Sequence, residues 1–413
     1  MTIYVGIDWD QKAAVFAAGQ PGQTISWRGE VPLSTQKVED WMRALKTRFP
    51  DEEEFCVAIE RGLPLWERLF QHVGCTVFSV DPNRAKAFAN SVNASGAKSD
   101  RADAQVLFAL AQTPAVRRHA LPPTNDLHNA LWRAVKRHER LAKDITRITN
   151  RIRARLVEVF AGIEISSLRR AWVVKLLTAI PTAFHAQQLS GEQLAELLAG
   201  LRMREKTRSQ LHVSIQKASH QLLPREAAVI AEEIRGWVCD LQRAESQLKE
   251  VETQTDELLA ERSESVATLT SVKGIGKGLC ARLIALYFLS PDAGSHRDGA
   301  SIRIGASPVT VQSGAKSRWK ERQPQVKMRR SAPVIGRQAV YLLGMQAIRH
   351  LRWAKAQYQY LRAKGKGHGT ALRSVTRSLL RILTALWKSG KDYDELRYIN
   401  ALKSKGVVWA AQL

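Results

Sequence analysis

The sequence predicts a chain in two parts, an α/β domain at the amino terminus followed by an all-α remainder. Three short β-prone runs come first, at Ile3–Asp8, Ala13–Ala18 and Thr24–Val31, and together they suggest an antiparallel meander. Beyond residue 126 the apolar positions follow helical spacing over most of the chain. A length of 413 residues suits about two to three domains.

The elements after the meander alternate between helix and strand. We predict helix, strand, helix, strand and helix in turn at Ser34–Phe49, Phe55–Ile59, Pro64–Val73, Thr76–Val80 and Pro82–Asn93. Three strands followed by this alternation are the order of a RuvC-like, or ribonuclease-H-like, fold. We assign that fold to residues 1–115.

The remaining domain boundaries follow from two long helical patterns, Asp126–Phe160 and Arg225 to about Ser263. Their apolar positions approach a heptad seam, so residues 116–265 are predicted as a coiled-coil region with shorter helices inserted. The arms pair within one chain or between chains. A composition change near Leu269 leads us to separate residues 266–350, and residues 351–413 are predicted as a basic helical tail.

The charge of the chain indicates a polyanionic partner. Lys and Arg total 63 against 39 Asp and Glu, which leaves a net charge of +24 and a pI near 10.2. From Gly299 to Lys391 there are 20 Lys or Arg and a single acid, Glu321. Nucleic acid fits this asymmetry, since each neutralised phosphate releases counterions. A solvated face, or a helix lying on anionic lipid, are the alternatives.

Composition also argues against several classes of protein. No run reaches the roughly 18 apolar residues of a membrane span, and no signal peptide precedes the first strand. We therefore expect a cytoplasmic or nucleoid location. Cysteines 56, 75, 239 and 280 form no C-x-x-C pair, so buried free thiols are predicted instead of a zinc site or disulfides.

Four acidic residues form the first candidate site. Asp8 and Glu60 each follow an apolar strand, and strand alternation places Asp8 on the face of Gly6 and Asp10. Asp100 and Asp103 lie three apart at the start of an apolar helix, on one helical face. Taken singly, a strand-end acid is more often solvated, and first-turn acids also stabilise a helix dipole.

The set of four acids suggests a metal site. Carboxylates about 4 Å apart repel by about 4 kcal/mol per pair at an effective dielectric of 20, so a cluster implies protons or bound cations. Mg²⁺, or Mn²⁺, prefers oxygen ligands and is commonly completed by phosphate oxygens. We therefore predict a divalent-metal site for nucleic-acid chemistry.

Two glycine-containing segments follow. Gly274-Ile-Gly276-Lys277-Gly278 matches neither the Walker nor the dinucleotide pattern and is similar to a helix-hairpin-helix turn, where backbone N–H groups approach a DNA phosphate. A plain helix-linking turn is an equal alternative. The turn-rich stretch from Gly299 to Pro324 carries Ser313, whose hydroxyl could meet a scissile phosphate, although Ser-Gly is ordinarily just a turn.

The order of these segments resembles the DEDD transposases of the insertion-sequence 110 family. Five segments between residue 3 and about residue 349 carry the resemblance: Gly6-Ile-Asp8, Ala58-Ile-Glu60, Lys98-Ser-Asp100-Arg-Ala-Asp103-Ala, Gly274-Ile-Gly276, and Gly305-Ala-Ser-Pro308 to Ser313-Gly314. Each is weak alone, but their order and spacing are specific. One departure is Lys327-Met-Arg-Arg330-Ser-Ala-Pro333, where the family usually has a basic residue followed by Gly-Asn.

The resemblance implies an RNA-guided DNA transposase or recombinase. It implies that Asp8, Glu60, Asp100 and Asp103 bind the metal ions and that Ser313 cleaves and exchanges strands. It also implies donor and target DNA, a structured non-coding guide RNA, and a homo-oligomer, dimer or tetramer, that combines acids of one subunit with the serine of another. The residues predicted to contact nucleic acid are Gly274, Gly276, Lys277, Lys316, Arg318, Lys320, Arg322, Arg329 and Arg330.

Two other functions stay open from the residues alone. A RuvC-like structure-specific endonuclease would use the same acids with water and would not need Ser313. A non-catalytic nucleic-acid-binding protein would need neither metal nor acids. Asp10 is a further candidate to assist or replace Asp8.

Overall fold

A computed structural model describes most of the chain. The described residues are 2–92, 99–113, 121, 125–163, 165, 167–218, 222–290, 293–311, 325–328 and 332–413. They group into two compact units, Met1–Asp126 and Leu127–Leu413.

The amino-terminal unit contains a five-stranded sheet in the order β3-β2-β1-β4-β5. Strands β1 to β3 are antiparallel neighbours, whereas β4 runs parallel to β1 and β5 parallel to β4. The predicted meander and the helix–strand alternation are therefore both confirmed. This mixed sheet is consistent with a ribonuclease-H-like fold. The strands are β1 (Thr2–Trp9), β2 (Ala13–Gly19), β3 (Trp27–Pro32), β4 (Glu54–Glu60) and β5 (Thr76–Val80).

Helices cover both faces of this sheet. Because side chains alternate along a strand, Ile3, Val5 and Ile7 pack on one face in a core that includes α1 and α2 residues. Tyr4 and its neighbours pack on the other face with α4. Burial on both faces explains why β1 and β4 read as almost continuous apolar runs. The helices are α1 (Thr35–Arg48), α2 (Pro64–His72), α3 (Pro82–Val92) and α4 (Asp100–Ala111).

A helix approaches the sheet closely at Gly6. A Cβ atom built on Gly6 would lie 2.0 Å from the backbone nitrogen of Phe108 and 2.1 Å from the carbonyl oxygen of Ala104. No side chain larger than hydrogen fits that space. The backbone of α4 therefore rests directly on the backbone of β1.

The second unit is built on two long helices, α5 (Asp126–Val159) and α10 (Pro224–Ala260). They run antiparallel, because Arg155 pairs with Glu233 at 2.9 Å near one end and His138 lies 3.4 Å from Glu252 near the other. Buried residues recur at intervals of three and four along both helices. The coiled-coil assignment stays a prediction.

Four shorter helices lie between the two long ones and share an apolar core with them. Their sequence begins after the turn at Gly162 and ends at Lys217. Ser190-Gly-Glu-Gln193 has the sequence of a capping box and forms one, since the Ser190 and Gln193 side chains each accept a backbone hydrogen bond from the other residue. The four helices are α6 (Ala171–Ala179), α7 (Ala183–Gln187), α8 (Gly191–Ala199) and α9 (Glu205–Lys217).

The carboxy-terminal elements share one apolar core, which extends from Leu131 of α5 to Ile399 and includes the fully buried Trp353. Residues on both sides of position 350 contribute to it. The elements are α11 (Ser263–Thr270), α12 (Lys277–Leu283) with a π-helical turn at Ile284–Phe288, α13 (Gly299–Ile304), the hairpin of β6 (Pro308–Val311) and β7 (Gln325–Met328), α14 (Val334–His350), α15 (Arg352–Ala363), α16 (His368–Ser389), α17 (Glu395–Ser404) and a 3₁₀ turn at Val408–Ala410.

Two expectations differ from this structure. The stretch from Gly299, predicted as turns, begins with α13 and a β-strand; a six-residue helix is too short to show helical periodicity. Cys239 is exposed on α10, so the prediction of buried thiols is wrong there, whereas Cys56, Cys75 and Cys280 are buried. All four thiols are free.

A partly buried carboxylate, that of Asp298, joins the segment before α13 to α16. Asp298 accepts hydrogen bonds from Arg377 at 2.8 Å and from Arg381 at 2.7 Å. Hydrogen bonds from the two guanidinium groups hold the pKa of Asp298 well below its usual range. The carboxylate is therefore ionised throughout the physiological pH range and offsets one of the two positive charges of these arginines.

The contact at Gly6 leads to the first prediction. We expect Gly6→Ala to lower the free energy of unfolding by about 1–3 kcal/mol, because the added methyl group meets α4 backbone that cannot move independently. Thermal denaturation followed by circular dichroism measures the change. As a control, Gly236→Ala adds a methyl group to an exposed site on α10 with nothing within 4 Å and should not destabilise. A Gly6→Ala melting temperature equal to that of the wild type would contradict the close contact.

Candidate active site

Asp8 and Glu60 lie at the carboxyl ends of two neighbouring parallel strands. The register pairs Ile7 of β1 with Ile59 of β4, so the next residues along, Asp8 and Glu60, reach the same edge of the sheet. Both are partly exposed. Alternation along the strands places them on the face that α4 covers, the face of Gly6.

The direction of α4 brings its first turn to that same edge. The Phe108 ring lies 3.3 Å from a Cβ built on Gly19, which pairs with Tyr4 near the amino end of β1. Farther along, the Gln112 side chain accepts a hydrogen bond from the Gly22 N–H at 3.0 Å. The carboxyl end of α4 therefore lies over the amino end of β1, and its amino end lies over the carboxyl end of β1.

Asp100 and Asp103 occupy that amino-terminal turn of α4. The Ser99 hydroxyl accepts the Ala102 N–H at 3.2 Å and so defines where the helix begins. Asp103 directly precedes Ala104, whose carbonyl oxygen touches Gly6. The fold thus brings all four predicted acids to one edge of the sheet, on the face that α4 covers.

Tryptophan contacts fix the geometry of this edge. The Trp9 indole N–H donates to the Glu60 carbonyl oxygen at 2.7 Å, and the Trp9 ring lies 2.0 Å from a Cβ built on Gly62. The buried Trp66 donates to the Asp10 carbonyl oxygen at 3.0 Å. The Trp9 contacts join the ends of β1 and β4, and the Trp66 contact joins α2 to the turn that follows β1. The sequence analysis missed them, although a Trp directly after Asp8 and a Gly two residues after Glu60 were visible.

Asp10 has a structural role at the turn between β1 and β2. Its carboxylate accepts the N–H groups of Lys12 at 2.5 Å and Ala13 at 2.8 Å. Hydrogen bonds from the Ala13 and then the Lys12 backbone lower the Asp10 pKa. With one oxygen holding the turn, Asp10 is less suited than Asp8 to assist metal binding.

The side chains of the four acids are not drawn together into a ligand set. Within the described ranges, no group of three or more His, Cys, Asp or Glu side chains is arranged to hold a metal ion. The donor chemistry nevertheless suits the predicted metal, because the four side chains at this edge offer only carboxylate oxygens, which Mg²⁺ prefers. Metal binding by these residues stays a prediction.

The glycine turn joins α11 to α12. Gly274 has a positive φ of 91°, and a Cβ there would lie 2.7 Å from the His350 ring. Gly276 is the N-cap residue of α12 and has open space around it. Lys277 pairs with Asp256 at 2.9 Å, so part of its charge is already neutralised. Close packing on α14 accounts for Gly274, and nucleic-acid contact at this turn stays a prediction.

The serine segment lies outside the described residues. The structure defines the hairpin on either side of it, in which Val311 of β6 pairs with Gln325 of β7. Ser313 follows Val311 by two positions in the sequence. The predicted residues that lie outside the described ranges are Ser313, Lys316, Arg318, Lys320, Arg322, Arg329 and Arg330.

No helix of the described part combines the length and apolar character that crossing a membrane requires.

Comparison with known proteins agrees with the resemblance. Residues 5–161 match the family model DEDD_Tnp_IS110, described as Transposase. A protein of Sinorhizobium fredii (strain NBRC 101917 / NGR234), named "Putative transposase y4uE", is 26% identical over 210 residues. That match covers 49% of this chain and 57% of the relative, so the chain spans little more than half the length of this relative.

The matched segment contains Asp8, Glu60, Asp100 and Asp103 and ends before the glycine turn and Ser313. It includes the whole sheet except the first residues of β1, and also α5. The amino-terminal part of the chain, residues 5–161, is therefore similar to the DEDD transposases of the insertion-sequence 110 type.

Proposed function

We propose that the chain is a transposase, or recombinase, that cuts and rejoins DNA with a divalent metal held by Asp8, Glu60, Asp100 and Asp103. One observation carries this proposal. Two strand ends and the first turn of α4 bring these four acids to a single edge of the sheet, within the segment that matches the DEDD transposases.

The four acids come from three elements, two strands and one helix, and would therefore approach a bound metal ion from different directions. Asp8 and Glu60 stand on neighbouring strands joined by the Trp9 hydrogen bond, whereas Asp100 and Asp103 approach from the helix. Bound Mg²⁺ or Mn²⁺ would supply positive charge to the attacking and leaving oxygens of a phosphodiester. The acids would hold that charge in place, and the rigid strand ends would limit its movement.

We further propose that Ser313 is the nucleophile. Its hydroxyl oxygen would bond to the scissile phosphorus while the bond to one deoxyribose oxygen breaks, which leaves a phosphoserine and a free hydroxyl end. Attack by another hydroxyl end would reverse this step and release the serine. The phosphoserine conserves the energy of the broken phosphodiester, so resealing would need no ATP.

Positive charge supports nucleic-acid partners for this chemistry. We propose that Gly274, Gly276 and Lys277 approach one phosphate group and that the cations around Ser313 hold others. The net charge of +24 agrees with binding of donor and target DNA and of a structured guide RNA. It does not by itself distinguish among these polyanions.

We also propose how the subunits and the cell complete the reaction. A homo-oligomer, dimer or tetramer, would pair the acids of one subunit with Ser313 of another, and α5 and α10 would serve as its coiled-coil arms. The protein would act in the bacterial cytoplasm, associated with the nucleoid.

The acids can be tested by one conservative substitution. We expect Asp103→Asn to abolish Mg²⁺- or Mn²⁺-dependent nicking of a supercoiled plasmid that carries the gene with its native flanking DNA, because one negative metal ligand is lost. Gel electrophoresis measures the nicked fraction. Asp51→Asn is the matched control, since Asp51 is exposed and precedes β4 at the opposite end of the strand. Unchanged activity in Asp103→Asn, or activity in EDTA, would favour a non-catalytic binding protein.

The nucleophile can be tested by trapping the covalent intermediate. We expect radiolabelled DNA to remain attached to the wild-type protein in SDS and to be absent from Ser313→Ala, because alanine has no oxygen to attack phosphorus. Ser317→Ala, four residues along the same segment, should retain the adduct. Cutting and joining at the wild-type rate by Ser313→Ala would instead indicate a structure-specific endonuclease that uses water.

Guide RNA can be tested by sequencing the RNA that copurifies with the full chain. We expect one defined transcript from non-coding DNA beside the gene, resistant to washing at a salt concentration that removes random RNA, because specific contacts add to the salt-sensitive phosphate contacts. Recovery of only random cellular RNA would contradict guidance and leave charge-driven adhesion.

A further inference from the structure

A large cleft lies in the carboxy-terminal part of the second unit, and none of the residues given a role under the proposed function lines it. Its volume is about 1100 Å³, larger than the roughly 300–1,000 Å³ of a small-molecule pocket. The end of α16, the linker after it, α17 and the turn before the carboxyl terminus form its walls. The segment before α13 closes the remaining side.

Positive charge in this cleft is largely uncompensated. Five lining cations have no ion pair with any described residue: Arg297, Lys388, Lys391, Arg397 and Lys405. A sixth, Arg381, is paired with Asp298, which it shares with Arg377. Two lining acids oppose them, and the carboxylate of one, Asp394, already caps α17 by accepting the Arg397 N–H at 3.0 Å.

The cleft positions these charges on a fixed frame. The Lys388 side chain lies along the backbone of Gly294, where a Cβ would come within 2.3 Å of its Cε atom. Because the stem of the lysine is packed while the residue remains exposed, its ammonium group can project into the cleft with little loss of side-chain entropy. Because Lys388 forms no salt bridge with a described residue, its positive charge is available to a ligand in the cleft.

Aromatic side chains line the same cleft. Trp409 is half-buried and packs its inner surface on the carboxy-terminal core, which leaves part of the indole facing the cleft. Tyr398 is also part of the lining and is held by an edge-to-face contact with Trp353, with ring centroids 5.1 Å apart. Cations beside a supported indole are the combination that binds a phosphate backbone and an unstacked base.

We infer that this cleft binds a short single-stranded polynucleotide segment, with phosphates on Lys388, Lys391 and the neighbouring cations and a base on Trp409. The inference rests on the proposed function, which supplies the polynucleotide, but it is separate from the acids and from Ser313. RNA and DNA strands share the recognised chemistry. The open volume accommodates more than one nucleotide.

The phosphate contacts can be tested with the full chain by fluorescence anisotropy. The probes are labelled 12-nucleotide RNA and DNA single strands of one sequence and the corresponding DNA duplex, each titrated over a range of salt concentrations. For the double variant Lys388→Ala/Lys391→Ala we expect the slope of log K against log [salt] for a single strand to become shallower by about 1.4, since each lost phosphate contact accounts for about 0.7.

A matched control separates contact from net charge. The double variant Lys355→Ala/Lys403→Ala removes the same charge from exposed lysines that do not line the cleft, and its slope should equal that of the wild type. Equal slopes for both double variants, or an effect confined to the duplex, would overturn the inference. A larger effect with RNA assigns the cleft to a guide strand, and a larger effect with DNA assigns it to a separated DNA strand.

The base contact needs its own variant. Trp409→Ala should weaken single-strand binding roughly tenfold at every salt concentration, and Trp409→Phe should restore most of the affinity and control for folding. If both Trp409 variants bind as the wild type does, no base stacks there and the inference fails. Plasmid nicking by the wild type, abolished in Asp103→Asn, would leave the proposed function standing in that case.

Discussion

The absence of a side chain at Gly6 is the constraint on which the candidate active site depends. Backbone atoms of α4 occupy the space that a Cβ would need, at 2.0 and 2.1 Å. This contact lets the helix approach β1 more closely than packed side chains would allow. It also fixes the position of Asp103 relative to Asp8, because Asp103 is next to the touching residue Ala104 and Asp8 is two residues beyond Gly6.

Cations have two different roles in the second unit. On the long helices and their neighbours many are matched by acids, as in the pairs of Arg155 with Glu233 and Arg169 with Glu245. In the carboxy-terminal cleft, by contrast, exposed lysines face few acids. A strongly basic composition alone does not separate these roles. The local ratio of acids to bases distinguishes the two roles, and it indicates that the cations free to bind a polyanion lie in the carboxy-terminal cleft.

Local patterns predicted those features of the fold that depend on neighbouring residues. The meander, the buried strand before Glu60, the first turn of α4 and the cap at Ser190 all follow from alternation, helical spacing or capping chemistry. The position of Asp8 and Glu60 at one edge of the sheet was also predictable, since the carboxyl ends of adjacent parallel strands share an edge.

The remaining features depend on contacts between residues far apart in the chain. The hydrogen bond from Trp9 to Glu60 spans 51 positions, and the bond from Arg381 to Asp298 spans 83. Likewise, Trp353 packs in the same core as Leu131. The basic residues around Trp353 in the sequence hide this burial from a reading of local composition. Periodicity reports which face of an element is apolar but not which partner covers that face.

The antiparallel pairing of α5 and α10 has a consequence for how this architecture can change in length. A helix of 34 residues spans about 51 Å, and its far end carries the four inserted helices. Removing residues from only one of the two helices would put every later contact between α5 and α10 out of register. Insertions and deletions in this helix pair are therefore restricted to equal lengths in α5 and α10, close to whole heptads. The four short helices at the far end can be replaced without this restriction.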